Sequence, residues 1–553
     1  MKTVPEPIEQ PLPGEPRAER PSRIDPVVFG VAAAVALGFL VWGVFGTESL
    51  ASAAKAALDW VIGHLGWAFV LVASGFVLFA VWLAVSRYGR IPLGRDDERP
   101  EFRTVSWIAM MFSAGMGIGL MFYGVNEPLS HFVKPPPGTV AAESDAALQT
   151  AMATTLFHWT VHPWAIYAVV GLAIAYGSFR RGRSQLISAA FAPLLGERRA
   201  GGPAGRAIDV LAIFATLFGS AASLGLGALQ IGSGLTSAGW DVGNAVLVGI
   251  IAVLTVVFVA SAVSGVAKGI QWLSNTNMVL AVVLAAFVFV VGPTVFVLNL
   301  VPAAIGDYFR DLADMAGRTA ASGGDATEAW LSGWTIFYWA WWISWTPFVG
   351  MFIARISRGR TIRQFVTGVI GVPSAVSLIW FCVFGGTAIH LQRTGTDLAG
   401  QSSAESQLFG MLDQFPLAGV ASVLVIVLVA IFFVSGADAA SVVMGTLSQR
   451  GSITPSKGVV VFWGVLTGAV AAVMLLVGGS NALTGLQNLT IIAALPFAVV
   501  MVGLCVSLAR DLRSDPMIRR EERVAEVMEE VCFGPEETAL LTVEQIVRTR
   551  PGA

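Results

Sequence analysis

Long apolar runs separated by short polar loops recur along most of this chain. Twelve segments are long enough to cross a bilayer, at about 26–46, 60–85, 104–126, 153–178, 208–237, 242–262, 270–299, 331–354, 362–390, 416–447, 457–479 and 484–509. A span needs roughly 20 residues. Several segments exceed that, so they should tilt, bend or protrude. The pattern predicts an all-α membrane protein. Residues 1–25 are polar and proline-rich and read as a disordered tail. Residues 26–103 hold two spans and a loop, 104–299 five spans, and 331–510 five more. Between these sets, 300–330 is a connector in which Pro302 to Arg318 mixes apolar and charged residues, as a helix lying on the outer membrane surface would. Residues 511–553 form a second polar tail. Its stretch RREERVAEVMEE, Arg519 to Glu530, reads as a short charged helix, either a solvated face or an arm touching lipid or a neighbouring subunit.

The loops add orientation. Arg87, Arg90, Arg95, Arg99 and Arg103 follow the second span. Arg180, Arg181, Arg183, Arg198, Arg199 and Arg206 follow the fourth, and Arg355, Arg358, Arg360 and Arg363 the eighth. Alternate loops are poor in Lys and Arg, so the positive-inside rule puts both termini in the cytoplasm. No cleavable signal peptide is evident. Composition agrees with the pattern: 55% of residues are hydrophobic and 13% charged, against roughly a quarter charged in soluble domains. A net charge of −2 gives no reason to expect nucleic acid as a partner. Cys382, Cys505 and Cys532 lack metal or redox spacing, and a disulfide framework is not expected.

Two spans carry features that interrupt helices. The third contains SAGMGIGLMFYG, Ser113 to Gly124, with glycines at 115, 117 and 119. Each glycine costs about 1 kcal/mol relative to alanine within a helix, so the run favours local unwinding. Close packing through the pair Gly115 and Gly119 is the structural alternative. The eighth contains SWTPFVG, where Pro347 removes a backbone donor. Irregular backbone at membrane depth survives only beside protein or a watery cavity. Each five-span set opens with its interrupted helix, and an odd span count starts the second set on the opposite side. That is the signature of an inverted repeat around a transport site.

The eighth span also reads YWAWWISW, Tyr338 to Trp345. Interfacial belts put tryptophan at helix ends, whereas Trp342 lies near the centre of this segment. Trp341 and Trp345, and Trp342 and Trp345, have spacings that share a helix face. The fourth span offers partners in FHWTVHPWAIY: Trp159, Trp164 and Tyr167, with Pro163 able to bend the helix. Rings from the two helices could enclose a quaternary ammonium group, at about 2 kcal/mol or more per desolvated contact, with no buried carboxylate in the cage. Ordinary aromatic packing is the alternative.

GMGIGLMFYGVNEP, FHWTVHPWAIY, SLGLGALQIGSGL and WTIFYWAWWISWTPFVGMFIARISRGRTIRQF together resemble the betaine/carnitine/choline transporter family, across about residues 25 to 510. The resemblance implies the sodium-symporter fold, two five-helix inverted repeats preceded by two extra helices, and a homotrimer. It implies a trimethylammonium box at Trp159, Trp164, Tyr167 and Trp342, with Trp341 and Trp345 near the substrate path. It also implies an unwound segment at Gly115, Met116, Gly117 and Gly119 that lets backbone amides approach a ligand carboxylate. One sodium site would match Ser113, Met116, Phe432, Ser435 and Gly436, and a second Thr216, Ser220 and Phe348. Gly436 departs from the family, which commonly has a hydroxyl there.

The reading that follows is sodium-coupled uptake of a glycine betaine-type solute by alternating access, with Na+ as coupling ion, no cofactor and no enzymatic step. A proton-coupled choline importer or a substrate exchanger of the same family is the alternative, and a channel is the alternative from another class. Proton-coupled relatives tend to carry an acid where Gly119 stands. Asp438, in FVSGADAAS, is a candidate for the cytoplasmic gate or simply faces the cytoplasm. His158 and His162 lie one turn apart with no evident third ligand, so no metal beyond sodium is expected. Glu127 reads as a cap at the outer end of the third span.

Overall fold

The computed structural model describes residues 23–115, 117–264, 267–478 and 481–528. Met116, Cys532 and nearly all of the N-terminal tail lie outside these. So do Glu529 and Glu530 at the end of the charged stretch, and no side-chain detail is described for residues 112–115. The regular elements of the described residues are all helices, joined by loops, and no strand is present among them. In order the helices are α1 (Pro26–Phe45), α2 (Thr47–Val85), α3 (Thr104–Gly115), α4 (Ile118–Val133), α5 (Asp145–Trp159) and α6 (Val161–Ala175). The short α7 (Ala192–Leu195) and α8 (Glu197–Ala200) precede α9 (Pro203–Ser237), α10 (Asn244–Ser264), α11 (Ala267–Val291) and α12 (Thr294–Gly317). Then come α13 (Gly324–Leu331), α14 (Phe337–Ile356), α15 (Ile362–Arg393), α16 (Ser406–Leu412), α17 (Ala418–Ser448), α18 (Lys457–Val477) and α19 (Ala482–Arg513).

Among the described residues, nine helices are long and apolar enough to cross a membrane, or ten counting one bent pair. Helices occupy all twelve expected segments, but not every one meets that test as a single helix. The chain is a multi-pass membrane protein. Its outer helices turn valines outward, including Val253, Val256, Val279 and Val290, as a lipid-facing surface requires. The inner helices do the reverse: α6 is buried from His162 to Ala175. α14 packs against α6, α9 and α19, and α4 against α5, α9 and α15, which places the site at the centre.

The helices break where backbone chemistry demands it, with two departures from expectation. The third span divides as the glycine run predicts: α3 ends at Gly115, and Gly117 is fully extended before α4 begins. The eighth span is different. α14 runs unbroken through Pro347, with a neighbouring hydroxyl taking up the carbonyl that the proline frees. The Ile343 carbonyl, which the missing amide would have bonded, accepts instead from Thr346 Oγ1 at 2.6 Å. Ser344 Oγ donates to the Trp341 carbonyl at 2.6 Å. The irregularity lies earlier, in a π-helical turn at Ser332–Ile336. The seventh span also ends sooner than its apolar run implies. Around Gly292 and Pro293 the chain bends by 110° into α12, so the amphipathic connector begins before Pro302.

On the arginine-rich side, loop arginines form ion pairs. Arg180 Nη2 lies 2.9 Å from Asp515 Oδ1, and Tyr176 Oη donates to Asp515 Oδ2 at 2.8 Å. Arg181 and Arg183 both pair with Asp511 at the end of α19. Residues 516–528 continue as a helix with exposed residues at 521–528. Arg520 bonds Asp96, and Glu522 pairs with Arg87 at 2.9 Å, so the stretch is tied to the loop after α2.

Candidate functional site

An uninterrupted helix would not bring Trp159 and Trp164 to one place, because five residues at 3.6 per turn leave them about 140° apart. Thr160 resolves this. It sits between α5 and α6 with φ −116° and ψ −106°, outside the helical range, and the break re-aims everything after it. Pro163, which has no amide to lose, follows in the first turn of α6. Trp159, Trp164 and Tyr167 thus face α14, whose own periodicity presents Trp341, Trp342 and Trp345.

These six rings line one small cavity of about 40 Å³, with Gly117, Gly119, Leu120, Pro163 and Ser377. The rings meet edge to face. Trp159 lies 4.9 Å from Trp342 at 74°, Trp164 lies 5.3 Å from Tyr167 at 76°, and Tyr167 lies 6.2 Å from Trp342 at 79°. Trp341 and Trp342 stack at 4.7 Å. Trp341 is fully buried and Trp342 is 5% exposed, which excludes a lipid-facing belt for both. Hydrogen bonds fix the indoles. Trp342 Nε1 donates to the His158 carbonyl at 3.0 Å, Trp341 Nε1 to Ser223 Oγ at 3.1 Å, and Trp345 Nε1 to the Gly219 carbonyl at 3.0 Å. Tyr167 Oη is buried without a hydrogen-bond partner among the described residues, a polar atom available to a ligand.

Gly119 makes the arrangement possible. A Cβ there would lie 2.8 Å from Trp159 Cη2 and 2.8 Å from Trp341 Cη2, so only glycine lets both rings close over the break. At Gly117 a Cβ would meet nothing within 4 Å. Gly115 ends α3, and Met116 lies outside the described residues.

A second cavity, about 370 Å³, adjoins the first and shares Gly117 and Trp345 with it. Phe432, Ser435, Gly436, Ser220, Phe348 and Asp438 all line it. Ser220 Oγ is buried and has no hydrogen-bond partner among the described residues. Ser435 Oγ bonds the Ile431 carbonyl at 2.9 Å and the Phe432 carbonyl at 3.3 Å. A Cβ at Gly436 would meet open space. Thr216 stands apart: it is buried, donates to the Ala212 carbonyl at 2.8 Å, and is not among the cavity-lining residues. Ser113 is placed only as backbone in α3. Asp438 faces the cavity beside Arg355 and Thr446, at the end toward the arginine-rich side.

The other end of the cage holds what the sequence did not disclose. Glu127 is no helix-end cap; it is fully buried inside α4. Its Oε2 accepts from Trp159 Nε1 at 2.6 Å and from Tyr338 Oη at 2.5 Å. Its Oε1 lies 2.6 Å from His158 Nδ1 and 3.5 Å from His131 Nε2. His158 Nε2 meets Thr335 Oγ1 at 2.9 Å. Ligand-type atoms of Glu127, His131 and His158 lie within 4.8 Å of one another, but both carboxylate oxygens are already engaged by the protein. His162 belongs elsewhere, stacked on Trp339 at 5.1 Å. Ser223 and Thr160 were likewise missed, since single hydroxyl residues in apolar helices carry no pattern.

The model of the BCCT, betaine/carnitine/choline family transporter, matches residues 27–517. The chain is 48% identical over 521 residues to the betaine/ectoine transporter LcoP of Corynebacterium glutamicum, covering 93% of this chain and 82% of that protein. It is 45% identical over 505 residues to the glycine betaine transporter OpuD of Bacillus subtilis, covering 91% and 96%. With glycine betaine transporter 1 of Vibrio parahaemolyticus it shares 40% identity over 499 residues, covering 88% and 94%. The cage, the broken third span and this match over nearly the whole length lead to one conclusion: the chain belongs to the betaine/carnitine/choline transporter family and is a transporter, not an enzyme.

Proposed function

We propose that the chain imports a quaternary-ammonium compatible solute of the glycine betaine type, coupled to sodium, by alternating access. The observation that carries this reading is the convergence of six aromatic rings from α5, α6 and α14 on one cavity beside the glycine backbone of the third span. Ring faces attract a permanent cation without a counter-ion in the cage. The extended backbone at Gly117 is open to a ligand carboxylate. Relatives named as betaine transporters support the same substrate class.

Sodium is a hard cation and takes oxygen ligands. Phe432, Ser435 and Ser220 line the adjoining cavity, and we assign the Ser435 and Ser220 hydroxyls and the Phe432 carbonyl to the ion, with Gly436 leaving one hydroxyl fewer. The larger cavity extends from the cage toward Asp438, while the Glu127 cluster closes the other end. That supports a state open toward the arginine-rich side, which we take as cytoplasmic together with both termini. We further propose twelve spans with two five-helix inverted repeats, a homotrimer, and transport in which one helix bundle rocks against the rest.

Each positive charge moved inward gains about 2.3 kcal/mol per 100 mV, and a zwitterion adds no net charge, so transport current reports sodium alone. Uptake of labelled glycine betaine into proteoliposomes under imposed sodium or proton gradients tests the reading. Accumulation driven by sodium but not by protons is expected. Accumulation driven by protons alone, or unsaturable flux without counterflow, refutes it.

A further inference from the structure

The cage contains no carboxylate, yet one stands directly behind it. Trp159 spans the gap. The benzo edge of its indole faces the third-span break at Gly119, while its Nε1 donates to Glu127 Oε2 at 2.6 Å. Glu127 also receives Tyr338 Oη and meets His158 Nδ1 at 2.6 Å. Trp159 Nε1 and Tyr338 Oη donate to it, and with the His158 tautomer protonated at Nδ1 a third donor joins them, the surroundings that suit an ionised carboxylate removed from water. A negative charge bonded to the indole N–H does two things. It raises electron density across the ring, and its field acts on whatever lies at the far edge through a medium that screens poorly.

We propose that Glu127 is a specificity-determining positioning residue, which makes the cage select a trimethylammonium cation over an uncharged group of the same shape by polarising Trp159 from behind. The inference rests on the proposed function, because it takes the cage as the ammonium site. Glu127 touches no ligand itself; its effect passes through the ring. This separates two tasks: the rings supply shape and apolar contact, and the carboxylate supplies the preference for charge.

Glu127→Gln is the test, because the surrounding bonds can adapt. The amide oxygen can accept from Trp159 and Tyr338, and the amide nitrogen can donate to His158 Nδ1 once the imidazole proton moves to Nε2 and turns to Thr335. The probes are glycine betaine and 3,3-dimethylbutyrate, its isostere with carbon in place of the ammonium nitrogen. Both are titrated by tryptophan fluorescence on purified full-length protein with sodium present. In the wild type, glycine betaine should bind far more tightly than the isostere. In Glu127→Gln the ratio of the two dissociation constants should fall by on the order of tenfold, the scale of a charge acting across one ring at an effective dielectric of about 20. A purely structural role would weaken both probes alike and leave the ratio unchanged, which overturns the proposal. Should Glu127→Gln fail to fold, Trp159→Phe keeps a ring but cuts the N–H link. The same fall in ratio is then required, and an unchanged ratio overturns the proposal. A wild type that binds no glycine betaine overturns the proposed function and this inference with it, whereas tight wild-type binding with an unaltered variant ratio overturns the inference alone.

Discussion

Adding one methyl group at Gly119 isolates the packing on which the cage depends. Optimal carbon–carbon contact begins near 3.5 Å, so a Cβ placed 2.8 Å from both Trp159 Cη2 and Trp341 Cη2 is too close to each by about 0.7 Å. Neither ring is free to withdraw. Trp159 is bound to Glu127, and Trp341 is bound to Ser223 while stacked on Trp342. Overpacking of this kind costs about 1–3 kcal/mol, and the helix propensity of alanine returns at most about 1 kcal/mol. Gly119→Ala should therefore lower the melting temperature of the ligand-free protein. The same cost of about 1–3 kcal/mol, set against the ring positions a ligand needs, should weaken glycine betaine binding by about 5- to 140-fold, at 1.4 kcal/mol per tenfold. Gly117→Ala, two residues away in the same break, is the matched control. Its Cβ meets nothing within 4 Å and its backbone is extended. It should melt like the wild type without ligand and weaken binding only if the ligand enters the space beside it. Thermal melts and fluorescence titrations on both variants decide the matter. If Gly119→Ala melts like the wild type and binds within about twofold of it, the argument that glycine sets the ring positions is wrong.

Trp342→Ala removes the ring shared by the contacts with Trp159 and Tyr167 and should abolish saturable uptake of a trimethylammonium compound while the protein still reaches the membrane; normal uptake kinetics would reject the cage. Gly436→Ser places a hydroxyl in open space beside Ser435 and should lower the sodium concentration for half-maximal uptake, whereas loss of sodium dependence would remove this cavity from the coupling path. Thr346→Val leaves the Ile343 carbonyl unbonded inside α14 and should cost about 1–3 kcal/mol, visible as a lower melting temperature with an unaltered fold by circular dichroism. Burial pushes the Asp515 carboxyl up, but Arg180, the Met517 amide and Tyr176 outweigh it and hold the group below its ordinary 3.8. A depressed acid stabilises above its unfolded value and loses that contribution as pH falls through the folded one, so protection of residues 516–528 from protease should be flat above about pH 5, while Asp515→Asn should expose them across that whole range.

What could be read from the sequence followed the periodicities. Each of the twelve apolar runs is occupied by helix, because a span of about 20 apolar residues must satisfy its backbone internally; the short α7, α8 and α16 lie outside those runs, as does α13 up to its last residue. The glycines at 115, 117 and 119 located a true break, since low helix propensity is local. Pro347 misled for the opposite reason: the carbonyl it frees, Ile343, is taken up by Thr346, and whether a hydroxyl rotates back onto a carbonyl is decided by three-dimensional packing. The aromatic positions were legible because tryptophan at mid-span is costly to explain otherwise. Their mutual approach depends on Thr160, an unremarked residue whose backbone angles no pattern announces. Glu127 was misplaced because its partners, Trp159, His158 and Tyr338, lie far along the chain and become neighbours only when α4, α5 and α14 pack together.

Gly117 and Trp345 belong to the walls of both cavities. Under the proposed coupling, an ion in one chamber and a solute in the other would border the same two residues. Energetic exchange between them is by necessity mutual: if the ion tightens the hold on the organic guest, the organic guest tightens the hold on the ion by the same factor. Two residues common to both linings would give that exchange a short route.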